Sequence, residues 1–290
     1  MGDWLSQVFD FRDYGALLAL VQNSIIAAAL LGVVGGLIGV FIMQRDMAFA
    51  VHGISELSFA GAAAALLIGA DVVLGSIVGS LIAAGLIGVL GARARDRNSI
   101  IGVLMPFGLG LGILLLALYP GRSGNKFGLL TGQIVAVDDP QLGWLAGVAI
   151  AVTVVLLLVW RPLSFDSLDP EVAAARGVPS RALSLLFMAM LGLVVAAAVH
   201  VTGALLVLAL LVTPAAAALR VSANPVLVPV LSIVFALGSA VGGILLALGG
   251  TLPVSPYITT ISFLIYLVCR LVAWRRDRGR RAARRLAGAQ

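Results

Sequence analysis

Residues 16–61 read ALLALVQNSIIAAALLGVVGGLIGVFIMQRDMAFAVHGISELSFAG. The first 27 positions of this stretch, 16–42, contain no charged side chain. About 20 apolar residues in a helix span the hydrocarbon layer of a bilayer. The run is apolar on every face rather than on one stripe, which is the pattern of a lipid-embedded helix. The triplet Gln44-Arg45-Asp46 interrupts it, and a second apolar run opens at Met47. Within that second run lie a histidine and a glutamate, His52 and Glu56, four residues apart.

The rest of the chain follows the same plan. Of its 290 residues 61% are hydrophobic and only 11% charged, whereas soluble domains carry about 25% charged residues. The composition excludes a soluble globular domain and predicts an all-α, polytopic helical membrane protein. Cys269 stands alone, so no disulfide framework can form within the chain. The opening MGDWLSQVFDFRDYG has no basic segment followed by a short apolar core, so the first apolar run is expected to be a retained span and not a signal peptide.

Nine segments are long and apolar enough to cross: 16–42, 47–68, 72–91, 100–118, 143–160, 182–199, 203–219, 227–248 and 255–273. The joins near 69–71 and 201–203 are short, and an eight-span reading with one broken helix stays open. Under the nine-span thread with the C-terminus inside, only Arg12, Arg122 and Lys126 of the 19 basic residues fall outside. That is the bias of the positive-inside rule. It predicts an external N-terminus and a cytoplasmic C-terminus. The arginine-rich end, residues 274–290, reads as a basic cytoplasmic tail meeting anionic headgroups of the lipid bilayer. No nucleic-acid recognition module accompanies it, so no nucleic acid is expected as a partner.

Threading leaves one acid inside a span. Glu56 and His52 share a helix face, because positions four apart lie one turn apart. A carboxyl group facing lipid is costly, which places the pair toward a bundle interior or polar passage. Imidazole and carboxylate both bind first-row divalent cations, and a two-ligand site is incomplete in the way a passage requires. The same pair could instead lock a helix interface or relay protons. His200 falls at a span end, where an interfacial role competes with a part in ion entry. Gln22 and Asn23 stand near the same side.

Two connections carry further signals. Residues 162–181, PLSFDSLDPEVAAARGVPSR, form the longest inner loop before the tail. Pro170 and Glu171 suit a helix start, and Gly177 with Pro179 ends it, predicting a short capped helix at the inner face. The outer segment 119–142 is polar at both ends and is expected to lie along the outer surface. The fragment GRSGNK lacks the spacing of a phosphate-binding loop. ATP hydrolysis, if used, would therefore belong to another chain, and no catalytic constellation suggests an enzyme.

Four separate stretches, in order, carry a resemblance: LVQNSIIAAALLGVVGGLIGVFIMQRDMAFAVHG at 20–53, LLTGQIVAVDDPQL at 129–142, DPEVAAARGV at 169–178 and VTGALLVLALLVTPAAAALR at 201–220. The chain resembles the membrane permease subunit of bacterial ABC-type importers for zinc, manganese or iron(II). The resemblance implies a type II importer-like permease domain over 1–273, in the bacterial cell membrane, that hydrolyses nothing itself and binds no resident cofactor. It implies a homodimer seated on ATP-binding cassette ATPases and fed by an extracytoplasmic metal-binding protein. It casts Asp169, Pro170, Glu171 and Gly177 as the segment that couples to the ATPase, His52 and Glu56 as metal ligands, and His200 and Thr213 as residues of the pathway. Family members commonly carry an aspartate and then a histidine at the positions of His52 and Glu56, so here the order of ligand classes is reversed. Zinc is the first expectation for the cargo and manganese the next. A proton-coupled secondary metal transporter and a non-transporting membrane scaffold are the competing readings.

Overall fold

The computed structural model describes residues 14–91, 94–121, 137–204, 206–249 and 253–287. Among the described residues there are only helices, turns and bends. The chain order is α1 (Tyr14–Leu20), α2 (Gln22–Gln44), α3 (Ala48–Ile68), α4 (Val72–Leu90), α5 (Ala94–Leu118), α6 (Asp139–Leu158), α7 (Trp160–Leu168), α8 (Pro170–Ala175), α9 (Ser180–Thr202), α10 (Val207–Leu211), α11 (Thr213–Val221), α12 (Leu227–Ala247) and α13 (Val254–Ala287). Most of the outer segment expected over 119–142, and all residues before Tyr14, lie outside the described residues.

Helix ends follow local chemistry. Helix α3 stops at Gly69, whose φ of 70° is the left-handed conformation that glycine adopts without a Cβ penalty. Asp71 then starts α4 by accepting a hydrogen bond from the Leu74 amide at 2.8 Å. Helix α6 begins earlier than the expected 143, because Asp138 and Gln141 form a reciprocal capping box with Pro140 in the first turn.

Eight helices among the described residues are long and apolar enough to cross a membrane: α2, α3, α4, α6, α9 and α12 in full, with Arg97–Leu118 of α5 and Val254–Arg276 of α13. The expected span 203–219 is the exception. It forms the interrupted pair α10–α11, which breaks at Val212. Pro214 has no N–H to return to the carbonyl four residues back, so a continuous helix loses a bond there. The pair nevertheless runs alongside α13. Ser262 donates to the Ala209 carbonyl at 3.0 Å near the start of α13, and Arg276 donates to the Val221 carbonyl at 3.0 Å near the end of its apolar part. The inner loop is also richer than expected, with α7 preceding the short helix α8.

Side-chain bonds fix the two ends of the bundle. At one end Asn23, entering α2, donates to Asp139, entering α6, at 2.7 Å. At the other end Arg45, leaving α2, reaches Asp166 and Ser167 on α7. Phe41 packs edge-on against Trp160 and Phe187, centroids 4.7 and 6.3 Å away, tying α2, α7 and α9 there. Helices α2, α3 and α9 are mostly buried, whereas α5, α6 and α13 leave most of their apolar surface outward, where lipid would cover it. Helices α3 and α4 touch through their backbones. A methyl group on Gly61 would lie 3.0 Å from Gly79 Cα and closer still to the Gly75 carbonyl oxygen. Close approach through small residues is how helices associate where lipid supplies no hydrophobic drive. The Ser58 and Ser76 hydroxyls add a 2.7 Å bond across the same seam.

Candidate metal pathway

His52 and Glu56 lie in the first half of α3, and the structure brings them together as the spacing predicts. His52 Nε2 stands 3.5 Å from Glu56 Oε1. The Glu56 side chain is 4% exposed and that of His52 27%. Glu56 Oε2 and His52 Nδ1 are buried and find no hydrogen-bond partner among the described residues. A carboxyl group that deep with an idle oxygen is expensive to keep. The Ser55 hydroxyl donates to the His52 carbonyl at 2.8 Å, so it serves the backbone rather than the pair. Helix α5 backs the site through Gly108: a methyl group there would stand 3.0 Å from the Glu56 carbonyl carbon and the Leu57 nitrogen. Helix α10 also packs against α3.

Chemically, the pair offers one imidazole and one carboxyl group to a cation. Among the described residues no third His, Cys, Asp or Glu joins them to make a preformed metal cluster. Water, backbone carbonyls or neutral side chains would have to complete a shell. His200 is therefore not part of the pair. It sits in the last turn of α9, its Nδ1 buried without a hydrogen-bond partner among the described residues, within electrostatic reach of Asp71 and Asp138. Thr213 opens α11 immediately after the break and is half-buried. Gly39 on α2 leaves room for the Leu211 carbonyl oxygen at that break.

At the Arg45 end, α8 has the predicted capping. Asp169 Oδ1 accepts from the Val172 amide at 3.1 Å, Pro170 opens the helix, and Glu171 sits in its first turn. Gly177 follows with φ of 80°. Glu171 is exposed, as is Leu168 just before the cap, at 75%. Ala173 on the other face is fully buried. The element thus sits on the bundle with one face and offers the other outward.

Sequence reasoning assigned Arg45 only to a topological charge and placed Asp166 among loop acids. The structure buries both. Their side chains are 9% and 5% exposed, with Arg45 Nη2 2.5 Å from Asp166 Oδ2. Arg45 Nε donates to the Ser167 hydroxyl at 2.8 Å, and Arg97 Nη2 donates to the Arg45 carbonyl at 3.2 Å. Burial pushes the Arg45 guanidinium below its ordinary range, while the adjacent Asp166 carboxylate opposes that shift. The two residues are 121 positions apart, and no local pattern links them.

Comparison with known proteins agrees with this architecture. The ABC 3 transport family matches residues 18–273. The manganese transport system membrane protein MntC of Halalkalibacterium halodurans is 32% identical over 241 residues, 83% of this chain and 82% of that protein. The manganese import system permease protein ScaB of Streptococcus parasanguinis is 32% identical over 73% of this chain and 75% of its own length. Among solved structures, PsaBC from Streptococcus pneumoniae in complex with Fab superposes with a TM-score of 0.79 at 28% identity, covering 89% of this chain and 94% of that one. With the helical bundle, the buried pair and these matches together, the chain belongs to the ABC 3 transport family and is a multi-pass permease of the cell membrane.

Proposed function

We propose that the chain is the transmembrane subunit of an ATP-driven importer of a first-row divalent metal, with His52 and Glu56 as ligands on the path. The observation that carries this is the nearly fully buried Glu56 carboxyl with one idle oxygen beside an imidazole, deep in an apolar bundle. A structural lock would use both oxygens, whereas a transient cation site keeps lone pairs available. Manganese now stands ahead of zinc. The zinc-first expectation rested on imidazole–carboxylate chemistry, which suits both ions, while the relatives named above are manganese systems. His200, near Asp71 and Asp138 at one end of the bundle, and Thr213 at the interrupted helix would line the approach and exit.

The chain itself would hydrolyse nothing. An ATP-binding cassette ATPase would seat on the exposed side of α8, at Asp169, Pro170, Glu171 and Gly177, within the coupling segment 162–181. That makes the Arg45 end cytoplasmic, in keeping with the positive-inside bias. A metal-binding protein would deliver cargo at the His200 end, and two copies of the permease domain would pair. Residues 274–287 of the basic tail would continue α13 out of the membrane on the cytoplasmic side. ATP-dependent uptake of manganese and zinc into proteoliposomes, with ATPase and binding protein supplied, tests the reading. Wild type is expected to accumulate metal, and His52→Ala and Glu56→Gln are expected to lose at least tenfold of the uptake while retaining ATPase activity. Normal transport by both variants would reduce the pair to a structural contact.

A further inference from the structure

The buried Arg45–Asp166 pair joins two parts of the molecule that the function must connect. Asp166 lies three residues before Asp169, which caps the outward-facing helix α8. Arg45 occupies the turn between α2 and α3, seven residues before His52. The next residue, Asp46, holds a φ of 54°, a left-handed backbone that glycine prefers, so the turn has a fixed shape. Ser167 adds a second bond to the same guanidinium and itself donates to the Leu163 carbonyl at 2.6 Å, keeping α7 regular beneath the pair. Arg97, at the start of the apolar part of α5, holds the Arg45 carbonyl. The guanidinium also rests over the Phe187 ring of α9 at 5.4 Å. Helices α5, α7 and α9 therefore meet on one residue of the turn between α2 and α3, α7 and α9 through its side chain and α5 through its carbonyl.

Stability alone is a poor reason for this arrangement. A buried ion pair recovers little more than its own desolvation cost, and well-packed apolar replacements of similar volume are often as stable or more so. Here Asp166 Oδ1 and Arg97 Nε are both buried without a partner among the described residues, so the group is not even fully satisfied. A directional, charged contact does confer one thing that apolar packing does not: it fixes the position of one element relative to another.

We infer that Arg45 and Asp166 are positioning residues that transmit movement of the α7–α8 segment to α3, and so to the His52–Glu56 pair. The inference rests on the importer reading above. Displacement of α8 shifts α7 as a unit, the ion pair carries that shift into the turn, and α3 follows from its first residue, Ala48, about one helical turn before His52. Neither residue touches the cargo.

The test uses the complete transporter in proteoliposomes and reads metal imported per ATP hydrolysed. An Arg45→Met, Asp166→Leu double variant is expected to assemble with its ATPase, to unfold in detergent at the wild-type temperature or above it, and to hydrolyse ATP at near the wild-type rate. Its metal-to-ATP ratio is expected to fall at least tenfold. The charge-exchanged Arg45→Asp, Asp166→Arg variant is expected to recover part of that ratio. A stable double variant with the wild-type ratio would overturn the inference, since a merely structural pair predicts that result. Loss of assembly in the double variant would overturn it as well, by making the pair a folding determinant. Failure of the importer reading is separable: the wild-type complex would then show no ATP-dependent uptake at all.

Discussion

Replacing Glu56 by leucine should make the protein more stable while stopping transport. The carboxyl is 4% exposed, one of its oxygens has no partner among the described residues, and the other is 3.5 Å from an imidazole nitrogen. An unsatisfied buried polar group costs about 1–3 kcal/mol. Leucine has a similar length, removes the idle oxygen, and adds a branch within a buried site, where overpacking can return about 1 kcal/mol of the gain. His52, 27% exposed, keeps access to water after losing its neighbour. The net expectation is a gain of about 0–2 kcal/mol, or a rise in unfolding temperature of up to roughly 6 °C by the usual scaling. Thermal unfolding of the purified protein in detergent with chelator present reads the stability, and proteoliposome uptake reads the function. A fall in unfolding temperature of the same size would refute the reasoning, because it would show that the carboxyl is an anchor of the helix packing. Gain of stability with loss of transport marks a group retained for what it binds.

Two other substitutions probe the frame around the pair. Gly61→Val should cost about 3 kcal/mol or more, since its side chain would meet the Gly75 carbonyl and the Gly79 backbone rather than a yielding side chain; a sharply lowered unfolding temperature in detergent checks it. Asp169→Ala removes the bond to the Val172 amide and should cost about 1 kcal/mol of local stability in α8, seen as faster amide exchange over residues 171–175 and weaker retention of the ATPase on size exclusion.

The fold was largely legible because the bilayer imposes a single strong rule. Residues 47–68, 72–91 and 227–248 read as spans and are found as Ala48–Ile68, Val72–Leu90 and Leu227–Ala247, since every backbone group in lipid must be satisfied within its own helix. Departures came where a local device overrode hydropathy. The capping box at Asp138 moved the start of α6 outward, and its aspartate–glutamine spacing was visible in the sequence. The break at Val212 was signalled only by Pro214, because the segment is as apolar as its neighbours. Within the candidate site, the His52–Glu56 contact followed from helical spacing. The separation of His200 from that pair, and the Arg45–Asp166 bond, depend on which helices become neighbours, and hydropathy carries no such information.

The backbone contacts of α3 limit how a passage past His52 and Glu56 can open. Gly61 seats against Gly75 and Gly79 of α4, and Gly108 of α5 seats against the peptide of Glu56 itself. Main chains in direct contact have no flexible side chain to yield between them, so α3, α4 and α5 move as one body or not at all. The ligands then shift only with that whole body and not relative to α4 and α5. A wall that moves relative to the ligands has to be built from elements whose own continuity is already broken, and α10–α11, packed against α3 and interrupted at Val212, is such an element.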